Sequence, residues 1–123
     1  MKKLLIIFLF LFTNLSADDF KLERVIKGFD SPWSLTFIDS QNLLVTEKPG
    51  NIKFVNLKEK IIKDIDHNLK VLEDGQGGLL DILHKDNIIF VSYSENRMNR
   101  MSSTSVARAK LNNEKLNFKN IFQ

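Results

Sequence analysis

Short alternating segments separated by turn residues occupy most of the chain, and this pattern restricts the fold more than any other feature of the sequence. In 33–39, Trp33, Leu35 and Phe37 alternate with small polar residues, so one face of an extended strand is apolar. Comparable runs occupy 43–47, 52–57, 61–65, 79–84, 88–94, 103–111 and 116–122. The one helix-like stretch, 57–65, contains β-branched isoleucines that disfavour a helix. The sequence therefore predicts an all-β domain.

A repeat of this pattern narrows the choice of β architecture. Placing Leu80 over Leu35 gives an offset of 45 residues (80 − 35), and the turn residues Asn42 and Asn87 then coincide. A period of about 45 residues with about four strands per unit is the size of a β-propeller blade. Short alternating strands also fit a β-sandwich, so the pattern alone leaves both folds open.

The N-terminus has the layout of a secretory signal peptide. Lys2 and Lys3 precede an apolar run of nine residues, and small and polar residues follow up to Ala17. The apolar run is shorter than the about 20 residues that a membrane-spanning helix needs. We predict a signal peptide over 1–17, cleaved near Ala17, and a periplasmic or secreted domain over 18–123. An uncleaved signal anchor is the alternative.

Charge and cysteine content exclude several function classes. The formal net charge of +3 becomes +1 (3 − 2) without the two signal-peptide lysines, and the remaining charges are interspersed. No basic stripe with interleaved aromatic residues is present, so we do not expect nucleic-acid binding. The chain has no cysteine for disulfides or zinc, and His67 and His84 lack a metal-ligand spacing.

Three of the five glycines, Gly75, Gly77 and Gly78, bracket Gln76 and precede an apolar run. Glycine allows positive φ angles and close backbone approach. The cluster therefore predicts either a tight turn into a strand or a loop that directs the Gln76 amide at a ligand.

Four stretches together resemble one protein family. They are GFDSPWSLTFID (28–39), NLLVTEKPGNIKFV (42–55), GQGGLLDILH (75–84) and TSVARAKL (104–111). In their order and nearly in their spacing, they resemble the soluble aldose and glucose/sorbosone dehydrogenases that depend on pyrroloquinoline quinone (PQQ). The resemblance covers most of 25–111 and implies the N-terminal part, about two blades, of a six-bladed β-propeller that is usually exported to the periplasm.

The resemblance also implies a reaction. The family oxidises the C1 hydroxyl of an aldose to a lactone: a histidine takes the hydroxyl proton while hydride passes to PQQ, and a calcium ion stabilises the charge that develops on the cofactor. Gln76 matches the glutamine of a family motif that faces the sugar pocket, so we predict that it binds substrate through one acceptor and two donors.

The other motif residues are interpreted as structural. Trp33 is predicted to be a core residue at a blade junction, and Glu47 and Lys48 to form a solvated or inter-blade pair. Pro49 and Gly50 fit the central positions of a type II turn, because proline fixes φ and glycine supplies a positive φ.

The resemblance assigns no catalytic, cofactor-binding or metal residue to this chain. In the family, the catalytic histidine follows a segment similar to 119–123, and the PQQ and calcium ligands belong to later blades. His84 takes the place of a histidine in a structural turn, and His67 lies in a variable polar loop. We therefore predict an inactive N-terminal fragment to which neither PQQ nor calcium binds stably. The alternative is a non-enzymatic exported β-rich module that binds a sugar or a partner protein.

Two blades share one interface and leave two sheet faces open. About three units are needed before a repeat architecture becomes stable, so we expect self-association or a complementary propeller chain. The side chains predicted on the open faces are Trp33, Leu35, Phe37, Ile82, Phe90 and Phe118.

Overall fold

The structure, a computed structural model, describes residues 20–98, 101–112 and 114–123, and the predicted signal peptide lies outside these residues. The described residues contain nine β-strands and no helix, in agreement with the all-β prediction. Accordingly, none of these residues forms a helix that is long and apolar enough to cross a bilayer. The strands are β1 (Pro32–Phe37), β2 (Asn42–Glu47), β3 (Asn51–Asn56), β4 (Ile61–His67), β5 (Leu79–Lys85), β6 (Ile88–Asn96), β7 (Ser102–Lys110), β8 (Lys115–Leu116) and β9 (Lys119–Phe122).

The strands form two sheets, in the orders β1-β2-β3-β4-β8 and β5-β6-β7-β9. The first four strands of the first sheet, and all four of the second, pair antiparallel with their neighbours. Such four-stranded units are the blades of a β-propeller. The prediction of about two propeller blades is confirmed, and we call the units blade 1 (β1–β4) and blade 2 (β5–β7 with β9).

The segment 116–122 was predicted as one strand, and this prediction is wrong. β8 pairs in parallel with β4 of blade 1, whereas β9 pairs with β7 of blade 2. Between them, the Asn68 side chain accepts a hydrogen bond from the Phe118 N–H (2.7 Å) and donates one to the Phe118 carbonyl (3.0 Å). The strand is interrupted because Asn68 takes both backbone groups that a ladder would use.

The main core lies between the two blades. It consists of Leu44, Ile52, Ile65, Leu79, Ile82, Ile89, Val91, Tyr93, Ala107, Ala109, Leu116 and Phe118. The prediction that Ile82 and Phe118 line open faces is wrong, because they are only 3% and 5% exposed. Both side chains point into the interface between the blades rather than away from it.

The offset of 45 residues holds for only part of the repeat. Leu44 and Ile89, both fully buried, are 45 residues apart. Their partners across the hairpins are Thr36 and His84, which are 48 residues apart (84 − 36). The loop between β5 and β6 is shorter than the loop between β1 and β2. The β5 residue that pairs with Ile89 therefore lies three positions later than an offset of 45 residues from β1 predicts.

Blade 1 has a second apolar face, on the side away from blade 2. Leu43, Val45 and Val55 form its buried centre, and Ile26 and Phe29 of the N-terminal segment pack against them. Nearer the edge of the sheet, Trp33, Leu35 and Phe37 are 49%, 54% and 53% exposed. The prediction that Trp33 belongs to the core is therefore wrong for the described residues, whereas the prediction of an open face on this strand is right.

Candidate functional site

Gln76 lies at the tip of a tight turn between β4 and β5. The Gly77 N–H donates to the Asp74 carbonyl over 2.7 Å, which closes the turn around Gly75 and Gln76. Gly75 has a φ of +53°, in the left-handed region that favours glycine. The Gln76 side chain is exposed, and within the described part of the chain it has no hydrogen-bond partner. The structure thus presents the amide to solvent.

The two glycines after Gln76 lie in close contact with residues on either side. A Cβ at Gly78 would lie 2.4 Å from the Lys48 carbonyl oxygen, and one at Gly77 would lie 2.7 Å from the Ser94 hydroxyl. The Ser94 N–H also donates to the Gly78 carbonyl over 2.8 Å. The loop therefore lies between the β2–β3 turn of blade 1 and the end of β6 in blade 2.

Lys48 contacts this loop through both its main chain and its side chain. Its ammonium donates to the Gly75 carbonyl over 2.6 Å, and its own carbonyl accepts from the Leu79 N–H over 3.0 Å. Its N–H donates to the Ser31 carbonyl over 3.0 Å. Lys48 thereby joins the start of β1, the Gln76 turn and the start of β5.

The β2–β3 turn closes one residue earlier than the sequence predicts. The Gly50 N–H donates to the Glu47 carbonyl over 2.9 Å, so Lys48 and Pro49 occupy the central positions. The predicted positive φ at Gly50 is confirmed at +120°. It follows the turn and carries the chain into β3, because β2 and β3 pair up to Asn51 opposite Glu47.

Glu47 and Lys48 are not paired with each other. The Glu47 carboxylate is buried, and it accepts hydrogen bonds from the Asp30 N–H (2.8 Å) and the Asn51 amide (2.9 Å). The Lys53 ammonium lies 3.6 Å from it and also binds Asp64, and this hydrogen bond raises the pKa of Lys53. Glu47 therefore fixes the entry to β1, while Lys48 points to the other blade.

His67 supports the same turn from the outer strand of blade 1. Its Nε2 lies 2.7 Å from the Gly50 carbonyl, and its Nδ1 accepts the Leu69 N–H at 3.3 Å. These contacts assign the hydrogen to Nε2. Burial lowers the pKa of His67, so the ring is neutral near pH 7 and has a structural role. His84 of β5 contacts the Phe37 carbonyl of β1 through Nδ1 at 3.2 Å. Among the described residues, no hydrogen bond joins His84 to Gln76.

Beside the Gln76 turn, polar side chains form a hydrogen-bonded cluster that no motif or spacing in the sequence predicts. The Glu95 carboxylate accepts from the Ser105 hydroxyl (2.8 Å), the Asn120 amide (3.0 Å) and Arg97 (3.1 Å), and the Ser105 bond is the largest cause of its lowered pKa. Asn120 in turn accepts from the Tyr93 hydroxyl over 2.9 Å. These groups satisfy one another, so the cluster joins β6, β7 and β9.

The described residues do not fit the implied cofactors. They include no group of three or more His, Asp or Glu side chains that could hold a metal ion. Among the described residues, the cation that bonds to this turn is Lys48, and its ammonium is already engaged by the Gly75 carbonyl. One amide and one engaged ammonium do not make a cradle for an anionic quinone such as PQQ.

The fold is that of two neighbouring propeller blades with a glycine-rich turn between them. The sequence model for Glucose / Sorbosone dehydrogenase matches residues 29–123. This chain belongs to the glucose/sorbosone dehydrogenase family.

Solved structures agree with this assignment, and an uncharacterised curated relative matches a similar share of the chain. A glucose dehydrogenase is 29% identical with a TM-score of 0.74, and the match covers 81% of this chain and 32% of that one. The soluble aldose sugar dehydrogenase from Escherichia coli, in its apo form, is 26% identical with a TM-score of 0.72, over 81% of this chain and 31% of that one. An uncharacterised protein of Synechocystis sp. is 30% identical over 111 residues, which cover 80% of this chain and 27% of that protein. The chain thus spans about a third or less of its relatives' length.

Proposed function

We propose that this chain supplies the first two blades, over 18–123, of a periplasmic, PQQ-dependent sugar dehydrogenase that oxidises the C1 hydroxyl of an aldose to a lactone. One observation carries the proposal: the family's glycine–glutamine motif forms an anchored turn whose Gln76 amide is exposed at the junction between the two blades. The relatives named as glucose and aldose sugar dehydrogenases support an aldose as the substrate class.

In this proposal the chain contributes substrate binding. The Gln76 amide offers one acceptor and two donors to sugar hydroxyls. His67 cannot act as the general base there, since both of its ring nitrogens are engaged by backbone groups. PQQ would accept the hydride when bound, but the described residues offer no metal-ligand cluster for calcium, and the Lys48 ammonium is already bonded to Gly75. We expect the remaining blades, in a longer chain or a complementary one, to provide that part of the site.

Kinetics on a chimeric enzyme test the role of Gln76. Residues 29–123 replace the corresponding part of the E. coli aldose sugar dehydrogenase, and Gln76→Ala is compared with Gln41→Ala, an exposed glutamine of the β1–β2 loop. Because Gln76 binds the ground state and the transition state alike, its loss should raise KM for glucose by about threefold or more with little change in kcat. An unchanged KM rejects the proposed role of Gln76.

The chain alone, supplied with PQQ, calcium and glucose, should show no turnover. Turnover above about 1 per second would show that its own residues complete the site and would contradict the proposed division of labour. A chimera that binds glucose without oxidising it would support the non-enzymatic sugar-binding alternative.

We also propose export with cleavage after Ala17. N-terminal sequencing of the exported chain should begin at Asp18, whereas an intact Met1 in the membrane fraction would favour an uncleaved anchor.

A further inference from the structure

We propose that Lys48 is the positioning residue for Gln76: it sets the place of the Gln76 turn, which lies between β4 and β5, relative to blade 1. The effect on sugar binding rests on the role of Gln76 proposed above, whereas the effect on the turn itself does not. Three hydrogen bonds carry the inference, and they join Lys48 to Ser31, Gly75 and Leu79.

The bonds of Lys48 act on both ends of the turn. Its ammonium holds the Gly75 carbonyl directly before Gln76, and its carbonyl holds the Leu79 N–H just after the glycines. The backbone of Gly78 lies against Lys48 so closely that a Cβ would meet its carbonyl at 2.4 Å and its Cγ at 2.7 Å. Lys48 is itself fixed to blade 1 by its bond to Ser31 and by the neighbouring turn, which His67 supports.

The turn needs such an anchor because of its composition. Glycine has more backbone conformations to lose than any other residue, and three glycines surround Gln76. Nothing lies within 4 Å of the position that a Cβ of Gly75 would take, so packing does not restrain that end. The bond from the Lys48 ammonium is charge-assisted and therefore stronger than one between neutral groups. Without it, the bond that the described residues would still supply at the Gly75 end is the one that closes the turn on Asp74.

Hydrogen–deuterium exchange of the full chain tests the inference without any enzyme assay. Lys48→Met keeps the aliphatic stem and removes the ammonium, and exchange in the peptide 73–79 should become about fivefold faster or more. Lys48→Arg keeps a cationic donor and should change the rate by less than about twofold. The matched control is Lys60→Met, which removes an ammonium bonded to the Val25 carbonyl at 3.0 Å, away from the loop.

Equal exchange of the peptide 73–79 in the Lys48→Met and Lys60→Met variants would overturn the inference. If the Lys48→Met variant does not fold, Lys48→Gln takes its place, because glutamine also lacks the ammonium but keeps a polar end group. The same two outcomes then apply to Lys48→Gln. In the chimeric enzyme, Lys48→Met should raise KM for glucose while kcat changes less, and Lys48→Arg should restore KM; a purely structural role would lower the amount of active enzyme instead. Faster exchange in Lys48→Met together with an unchanged KM in Gln76→Ala would keep the anchor and reject only the sugar-binding role.

Discussion

At the scale of single residues, His67 shows how a polar side chain can have a defined role without taking part in catalysis. Its ring accepts a hydrogen bond from Leu69 and donates one to Gly50, which is possible only for the neutral form. A proton on Nδ1 would face the Leu69 N–H, another donor. Burial and this arrangement therefore make protonation unfavourable in the folded state.

We expect acid to weaken the fold through His67. The folded-state pKa of His67 lies below the value of 6.5 taken for the unfolded chain, so the unfolded state binds the proton more readily. The stabilisation by the neutral ring is complete above that value and is lost as the pH falls through the folded-state pKa. Urea unfolding of the wild type between about pH 7.5 and about pH 5, the range in which histidine titrates, should show a midpoint that decreases as the pH falls.

His67→Gln should reduce this pH dependence, because glutamine keeps a donor for Gly50 but does not titrate. His84→Gln is the control for the loss of a histidine, since His84 lies on β5 and contacts Phe37 of β1 rather than the turn that His67 supports. Identical pH profiles for the wild type and His67→Gln would contradict the assignment.

At the scale of strands, the junction between β8 and β9 depends on one side chain. Asn68, which follows β4, bonds both backbone groups of Phe118, and Phe118 is a buried member of the core between the blades. β8 adds to blade 1 and β9 to blade 2, so Asn68 lies where one chain segment passes between two sheets.

Asn68→Ala should lower the free energy of unfolding by about 2 kcal/mol, because two backbone groups of a buried residue lose their partners. Asn112→Ala is the matched control: Asn112 accepts bonds from the Glu114 and Lys115 N–H groups, but these groups are exposed and water can replace it. Chemical denaturation measures both effects. Equal losses for the two variants would show that the Asn68 bonds do not hold the junction.

At the scale of the whole molecule, the described residues leave an apolar sheet face open. Trp33 and Leu35 of β1 border a groove of about 280 Å³ that Val45 also lines. Phe37, on the same strand, is also exposed. On blade 2, Leu83, Ile121 and Phe122 are each more than half exposed. In a closed propeller, such faces pack against neighbouring blades.

We expect the isolated chain 18–123 to associate, either with itself or with a complementary propeller chain, because apolar faces and unpaired strand edges drive association. Replacing Trp33 and Phe37 with serine should shift its size-exclusion profile towards the monomer. The control replaces Phe20 and Leu22, which are 95% and 100% exposed but lie outside the sheets. A wild-type monomer with a sharp, cooperative thermal transition would contradict this prediction.

The sequence by itself determined the local features of this protein. Alternation specified the strands in 33–39 and in the other runs except 116–122, which is broken into two strands. Gly50 and Gly75 marked backbone positions with positive φ. These features could be predicted because periodicity and backbone sterics act between residues that are close along the chain. The four quoted motifs indicated the family for the same reason, because each motif is a continuous stretch of the sequence.

Only the tertiary structure decided which residues meet. It placed Phe118 in the core and Trp33 on an open face, although both are aromatic residues in strand-like segments. It also gave the Lys48 ammonium a partner 27 residues away, at Gly75, rather than the adjacent Glu47. Alternation shows that a strand has an apolar face but not which sheet covers it, and a flexible lysine can reach many acceptors. The packing of one blade on the other determines both which strand face is covered and which acceptor the lysine reaches.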